Sequence, residues 1–239
     1  MIHPLVLKLE RHDLLSPDEN RVLESAVSRM REFRADEDIV REGSRPTESH
    51  LLLEGFAARY KILMNGRRQI TALHLPGDFV DLHSYLLKKL DHGVITLTSC
   101  HVAVVPHDNL RRITESHPHL ARLLWLTTLV DGATHREWLV AMGRRSALGH
   151  FAHLICELFL RLQAVGQTDG YSFMLPATQA ELGDMLGIST VHVNRVVQEL
   201  RTDRLITWQG ETVTILDWER LRQVADFDPT YLYLEPEPR

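Results

Sequence analysis

Thr190, His192, Asn194, Arg195 and Gln198 stand close together in the chain, at spacings that put their side chains on the outer face of one helix. Hydroxyl, imidazole, amide and guanidinium groups arrayed this way suit the base edges and phosphates of a DNA major groove. Their neighbours supply the frame. The segment QAELGDMLGISTVHVNRVVQELRTDR, Gln179 to Arg204, has Gly183 where two helices must touch and Gly187 where a turn needs positive φ. Leu182, Leu186, Ile188, Val193 and Val196 form an apolar set between the helices. Thr178 with Glu181 reads as a capping box for the first helix, and Ser189 as N-cap of the second. Together these residues predict a helix-turn-helix followed by the start of a wing. The candidate DNA-facing residues are Gln179, Ser189, Thr190, Val191, His192, Asn194, Arg195, Gln198 and Arg201, with Arg195, Arg201 and Arg204 as a local basic strip.

Composition bounds the rest. The chain has 239 residues, enough for one large or two modest domains, with 44% hydrophobic and 25% charged residues. A net charge of −5 excludes a basic protein that coats nucleic acid, but leaves a local basic face open. Two cysteines, Cys100 and Cys156, cannot build a disulfide framework and point to core positions in a reducing cytosol. The stretch MIHPLVLKLERHD meets charge too early for a signal peptide, and no run reaches the roughly 18 apolar residues of a membrane span.

Three zones follow from changes of period. Leu14 to Phe33 reads as a helix with Ser16 as N-cap and Pro17 at its first position. From about Ile39 to His107 short strands and turns alternate. HLLLEGFAARYKIL reads as a strand pair broken at Glu54-Gly55, Asn65-Gly66 signals a hairpin, and Pro76-Gly77-Asp78 signals a turn. This predicts a small antiparallel barrel or roll. From Ser116, a candidate cap, a helix runs to about Met142. It has one apolar stripe of Leu120, Leu123 and Val130 and another of Leu126, Leu129, Ala133 and Val140. Two stripes predict packing on the chain's own roll and on a second chain. Gly143 is the expected hinge. Beyond it Ala147, Phe151, Leu154, Leu158 and Leu162 mark a buried helical face, and ITWQGETVTI a two-strand wing. Asp217 caps a short helix, and the tail YLYLEPEPR reads as irregular.

A roll, a long helix and a C-terminal winged helix-turn-helix, in that order, resemble the Crp/Fnr family of bacterial transcription regulators over nearly the whole chain. LPATQAELGDMLGISTVHVNRVVQELRTDRLI and LPGDFVDLHSYLL carry the resemblance most specifically. It implies an α+β fold: a cyclic-nucleotide-binding-like β-roll with N-terminal helices (1–115), a dimerisation helix (116–143) and a winged helix-turn-helix domain (144–239). It also implies a cytoplasmic homodimer that binds a double-stranded DNA operator and RNA polymerase, with no membrane partner. Arg195 matches the family's DNA-reading arginine, suited to guanine O6 and N7. Val191 stands where a base-reading glutamate is usual. Thr190 replaces the arginine of the cyclic-AMP receptor type, and Asn194 the serine of the Fnr type. The operator should therefore depart from the half-sites of either branch.

The effector positions depart further. Asp81-Leu82 replace the family's Gly-Glu pair after Gly77-Asp78-Phe79-Val80, and no arginine lies between Arg68 and Arg111. His92 replaces a forked cation poorly, and Asp81 and Asp91 repel an anion. The effector candidates are Gly77, Asp78, Asp81, Leu82, His83 and His92, with cyclic AMP not expected to bind tightly. The four-cysteine cluster of the Fnr type is excluded by the cysteine count. The chain holds 14 histidines. His74, His83, His92, His101 and His107 fall in the roll, so a haem- or metal-responsive sensor is the alternative within this architecture, although no pair has a tight metal spacing. His117 and His119 are expected to solvate a helix end. From other classes, a protein-interaction module remains, as does an enzyme using His74, Asp78, Asp81 and His83 as acid and base. No nucleophile elbow, P-loop, dinucleotide fingerprint or zinc-protease motif supports the enzyme.

Overall fold

A computed structural model describes residues 2–237. The chain opens with α1 (His3–Glu10) and α2 (Pro17–Ala26). α2 starts as its residues dictate: the Ser16 hydroxyl accepts from the Glu19 N–H, the Glu19 carboxylate accepts from the Ser16 N–H, and Pro17 opens the first turn. It does not continue to Phe33. The chain turns extended at Val27, and Arg29–Phe33 forms β1, paired with a strand ending at Pro106. A distant hydrogen-bonding partner overrides the local helical pattern there.

The roll is two antiparallel sheets. β2 (Asp38–Val40), β3 (Glu48–Glu54), β4 (Ala57–Ile62) and β5 (Arg68–His74) are followed by the short helix α3 (Ser84–Leu87). Then come β6 (Gly93–Thr96) and β7 (Cys100–Pro106). One sheet runs β1-β7-β3 and the other β2-β6-β4-β5. β3 and β4 are therefore consecutive but not a pair. The chain changes sheet at Gly55 (φ +91°), where an added Cβ would lie 2.4 Å from the Ser99 carbonyl oxygen. β4 and β5 do form the Asn65-Gly66 hairpin. Leu52, Ala57, Val80, Val94, Cys100 and Val102 fill the space between sheets.

α4 (His107–Ser116) leads into α5 (Pro118–Arg144). Ser116 ends α4 and does not cap α5. Gly143 lies inside α5, and the break falls at Arg145 and Ser146, both extended; Ser146 then caps α6 (Ala147–Ala164) by accepting from Gly149 N–H. Leu120, Leu123, Leu124, Val130, Trp138 and Ala141 of α5 are buried, and Ala133 joins them rather than the outer stripe. Trp125, Leu129, Leu139, Val140 and Met142 remain exposed.

The last zone is built around the apolar face of α6. β8 (Thr168–Asp169) and β9 (Ser172–Met174) precede α7 (Gln179–Leu186) and α8 (Thr190–Thr202). β10 (Ile206–Gln209), β11 (Thr212–Ile215) and α9 (Trp218–Ala225) follow. The wing hairpin is half of a four-stranded sheet ordered β10-β11-β9-β8. Asp217 caps α9 as expected. The tail has no regular structure from Tyr233 to Glu237, as expected, and its last two residues lie outside the described ones, but its start is ordered and packed. Pro229–Leu232 forms a 3-10 turn, Leu232 is buried, and the Tyr231 hydroxyl donates to Glu157 Oε2 at 2.9 Å.

Candidate nucleic-acid interface and the roll interior

Local chemistry builds the helix-turn-helix as the residues suggest. The Thr178 hydroxyl accepts from the Glu181 N–H at 3.2 Å, and Glu181 Oε2 accepts from the Thr178 N–H at 2.7 Å. At Gly183 an added Cβ would stand 2.8 Å from the Ile188 carbonyl oxygen, so only glycine lets the turn close over α7. Gly187 ends that helix at φ +68°. Ser189 accepts from the His192 N–H at 3.3 Å and starts α8. Leu182, Leu186, Val193, Val196, Val197 and Leu200 are buried between the helices, with Ile188 half-buried.

This packing leaves one face of α8 to solvent. Ser189, Thr190, Val191, His192, Asn194, Arg195, Gln198 and Arg201 are all exposed, and Val191 is 68% exposed. Gln179, at the start of α7, reaches across: its Nε2 donates to Asn194 Oδ1 at 2.7 Å. The sequence treats these two residues as independent; their pairing depends on how the two helices cross. Arg195 has no partner among the described residues and stands ready to donate. All nine DNA-facing candidates thus belong to one surface, with Gln179 and Asn194 joined in it.

The six effector candidates do not share one site. Gly77 (φ +92°), Asp78, Leu82 and His83 line a cavity of about 80 Å³ between roll, α5 and α6. That is well below the roughly 300–1,000 Å³ of small-molecule sites. Asp78 is committed: it pairs with Lys8 of α1 and accepts from Arg161 Nη2 at 2.9 Å and Leu75 N–H at 2.9 Å. Burial opposes its ionisation, but the two cations hold its carboxyl far below the usual range. Asp81 faces β3, accepting from the His50 N–H at 2.6 Å and bonded to His50 Nδ1 at 2.8 Å. His83 and His92 meet Nε2 to Nε2 at 3.2 Å, and His92 Nδ1 bonds Asp91 Oδ1 at 2.8 Å. Burial pushes His83 down to about 4 and lowers His92, so one neutral ring donates to the other.

The roll does hold a buried cation, outside the segment that lacks arginine. Arg59, on β4 and 7% exposed, donates from Nη1 to Asp131 Oδ2 and to His135 Nε2, each at 3.1 Å. Burial disfavours the Asp131 charge, yet Arg59 holds its carboxyl low; burial also lowers His135, which accepts as a neutral ring. His74 beside them is buried, pushed down to about 3 by desolvation and by Arg59, with Nε2 unpartnered. A charged residue at an inward position of an apolar strand was the available signal for Arg59. Arg161 of α6, joined to Asp78 and to Glu157 Oε1 at 2.9 Å, carried no such signal.

The remaining histidines are dispersed. His101 is exposed, His107 Nε2 bonds Ser49 and Ser84, and His119 bonds Glu19 and Asp13 rather than solvating a helix end. Among the described residues no group of three or more His, Cys, Asp or Glu is placed to hold a metal ion. Cys100 and Cys156 are buried, with both thiols pushed up by burial.

Comparison with known proteins agrees with both halves. The Crp-like helix-turn-helix domain family matches residues 151–224, and the cyclic nucleotide-binding domain family matches residues 30–117. The chain belongs to the Crp/Fnr family of transcription regulators. It is 29% identical over 203 residues to the transcriptional activator protein FnrL of Cereibacter sphaeroides, covering 83% of this chain and 81% of that protein. It is also 29% identical to the nitrogen fixation regulation protein FixK of Bradyrhizobium diazoefficiens, covering 81% of this chain and 80% of that one. The structure of FixK2 from Bradyrhizobium japonicum shares the fold, with a TM-score of 0.73 at 24% identity over 83% of this chain and 97% of that one. Like other Crp/Fnr members, the chain is a DNA-binding transcription regulator and not an enzyme. No described helix is long and apolar enough to cross a membrane.

Proposed function

We propose that this Crp/Fnr regulator is a cytoplasmic homodimer that presents two α8 helices to a palindromic operator and contacts RNA polymerase there. The observation that carries the reading is the outer face of α8, where Arg195 and its neighbours, Val191 among them, stay exposed while Val193, Val196, Val197 and Leu200 turn inward. Arg195 reads a guanine, the joined Gln179 and Asn194 read the adjoining step, and Val191 packs on a thymine methyl. Thr190, His192 and Gln198 contact bases or phosphates, and Ser189 and Arg201 lie at the margins of the same surface.

The dimer is supported by α5. Trp125, Leu129, Gly132, Arg136, Leu139 and Gly143 recur at alternating steps of four and three along it, the period of a coiled-coil seam. Trp125 and Leu139 are 67% and 71% exposed, an apolar load that a second copy would cover. The roll works without cyclic AMP, because Arg59, Asp131 and His135 occupy the space between β4 and α5 with bonds of their own. Selection from random duplex DNA with the full chain tests the reading. The expected result is a palindrome with half-sites about 34 Å apart. Enrichment of no sequence, or a monomer at operator-binding concentrations, would refute it.

A further inference from the structure

The roll grips the helix-turn-helix along β5. Arg68 Nε donates to Asp184 Oδ2 at 2.8 Å. Gln69 Nε2 donates to the Asp184 carbonyl at 2.6 Å and reaches the Met185 carbonyl at 3.4 Å. Both acceptors lie in the last turn of α7, whose final carbonyls have no partner within the helix. A side-chain amide from the sensory domain therefore caps the first helix of the reading domain. The ion pair is only 25% and 30% exposed at its two ends, so solvent screens it less than a surface pair. Gly187, the turn into α8, lies against the same place: a Cβ there would be 3.9 Å from both Gln69 Oε1 and the Met142 methyl.

The covalent link between the domains is slight. Only Arg145 and Ser146, both extended, separate α5 from α6. The grip on α7 leaves α8 uncovered. A dimer must hold both reading helices at one separation to engage two half-sites. Orientation fixed before binding lowers the entropy lost on binding. The gripping hairpin also carries Arg59, whose register partner on β5 is Ala72, so one element ties the interior of the roll to the reading head.

We infer that Arg68 and Gln69 are positioning residues for DNA reading, holding α8 at the orientation in which the dimer fits its operator. This rests on the two-fold reading proposed above. The test uses the full chain and the duplex that the wild-type protein enriches from random DNA. Arg68→Glu and Asp184→Arg should each weaken binding roughly tenfold, and their combination should return it to within about threefold of wild type. Arg68→Glu and Gln69→Ala should also tolerate a base pair inserted between half-sites, which the wild type rejects. A loss of packing alone would not produce that tolerance. Wild-type affinity and spacing preference in Arg68→Glu, tighter binding by Asp184→Arg alone, or failure of the charge swap to restore binding would each overturn the inference. If the enriched duplex has no palindrome, the two-fold reading fails while the charge swap still judges the grip.

Discussion

The outer face of α8 and the interior of the roll hold similar side chains and use them in opposite ways. On α8, arginine, histidine and glutamine point to solvent, and Arg195 has no partner among the described residues. In the roll, Arg59, Asp78 and Asp81 are each bonded to groups of the same chain, as are Asp131 of α5 and Arg161 of α6 that pack against them. A surface that reads a partner keeps its hydrogen-bonding capacity unspent. A site whose charges are already paired offers little to a new ligand, because an incoming anion would have to break bonds that offset the cost of burial.

The largest break in this contrast is expected at Gly183. Gly183→Val puts a side chain against the Ile188 carbonyl, destabilising the C-terminal domain by roughly 2–3 kcal/mol and abolishing operator binding in gel shifts. Full binding by this variant would show that the turn is more plastic than its geometry. Arg195→Ala should cost about 1–3 kcal/mol of operator affinity, relaxing one base position and leaving the melting temperature unchanged. Unaltered affinity would remove Arg195 from the reading surface.

Asp131→Asn tests the roll side. It leaves the Arg59 charge buried beside a neutral partner and should cost about 2 kcal/mol of stability in urea unfolding, the low side for a broken ion pair because Asp131 is a third exposed. Replacing both residues together, as Arg59→Met with Asp131→Leu, should recover most of that loss.

A smaller effect comes with pH. His74 and His153 are pushed down to about 3, and His83 and His150 to about 4, in each case first by burial. Their unfolded values lie near 6.5, so protonation favours the unfolded chain. Stability is full above pH ~6.5 and falls as pH drops toward ~4, and the slope should flatten in His153→Phe. A urea midpoint independent of pH across that window would contradict the buried neutral rings. The smallest expected signal is for cyclic AMP, which should give no heat of micromolar binding in calorimetry; such heat would mean that the Arg59–Asp131 seam opens.

The helix-turn-helix was legible almost to the residue because its determinants are local. Gly183, Gly187 and the caps at Thr178 and Ser189 act within a few positions of themselves. The N-terminal stretch misled because Arg29–Phe33 takes its hydrogen bonds from β7, a partner with no local trace. Gly143 misled because a glycine permits a hinge without requiring one, and the actual break follows from the extended Arg145 and Ser146. The pairing of Gln179 with Asn194 needed the crossing of two helices. The filling of the roll by Arg59 needed α5 to lay Asp131 and His135 over β4.

By itself the sequence determined the periods, caps and turn glycines, and through them the order of roll, long helix and reading head. Those features depend on steric and hydrogen-bonding rules that operate over a few residues. Only the tertiary structure decided which charges meet: Arg59 with Asp131, Arg161 with Asp78, Arg68 with Asp184. Each pair joins residues far apart in the chain, and whether a charge is spent or left free depends on burial and geometry that no local pattern encodes.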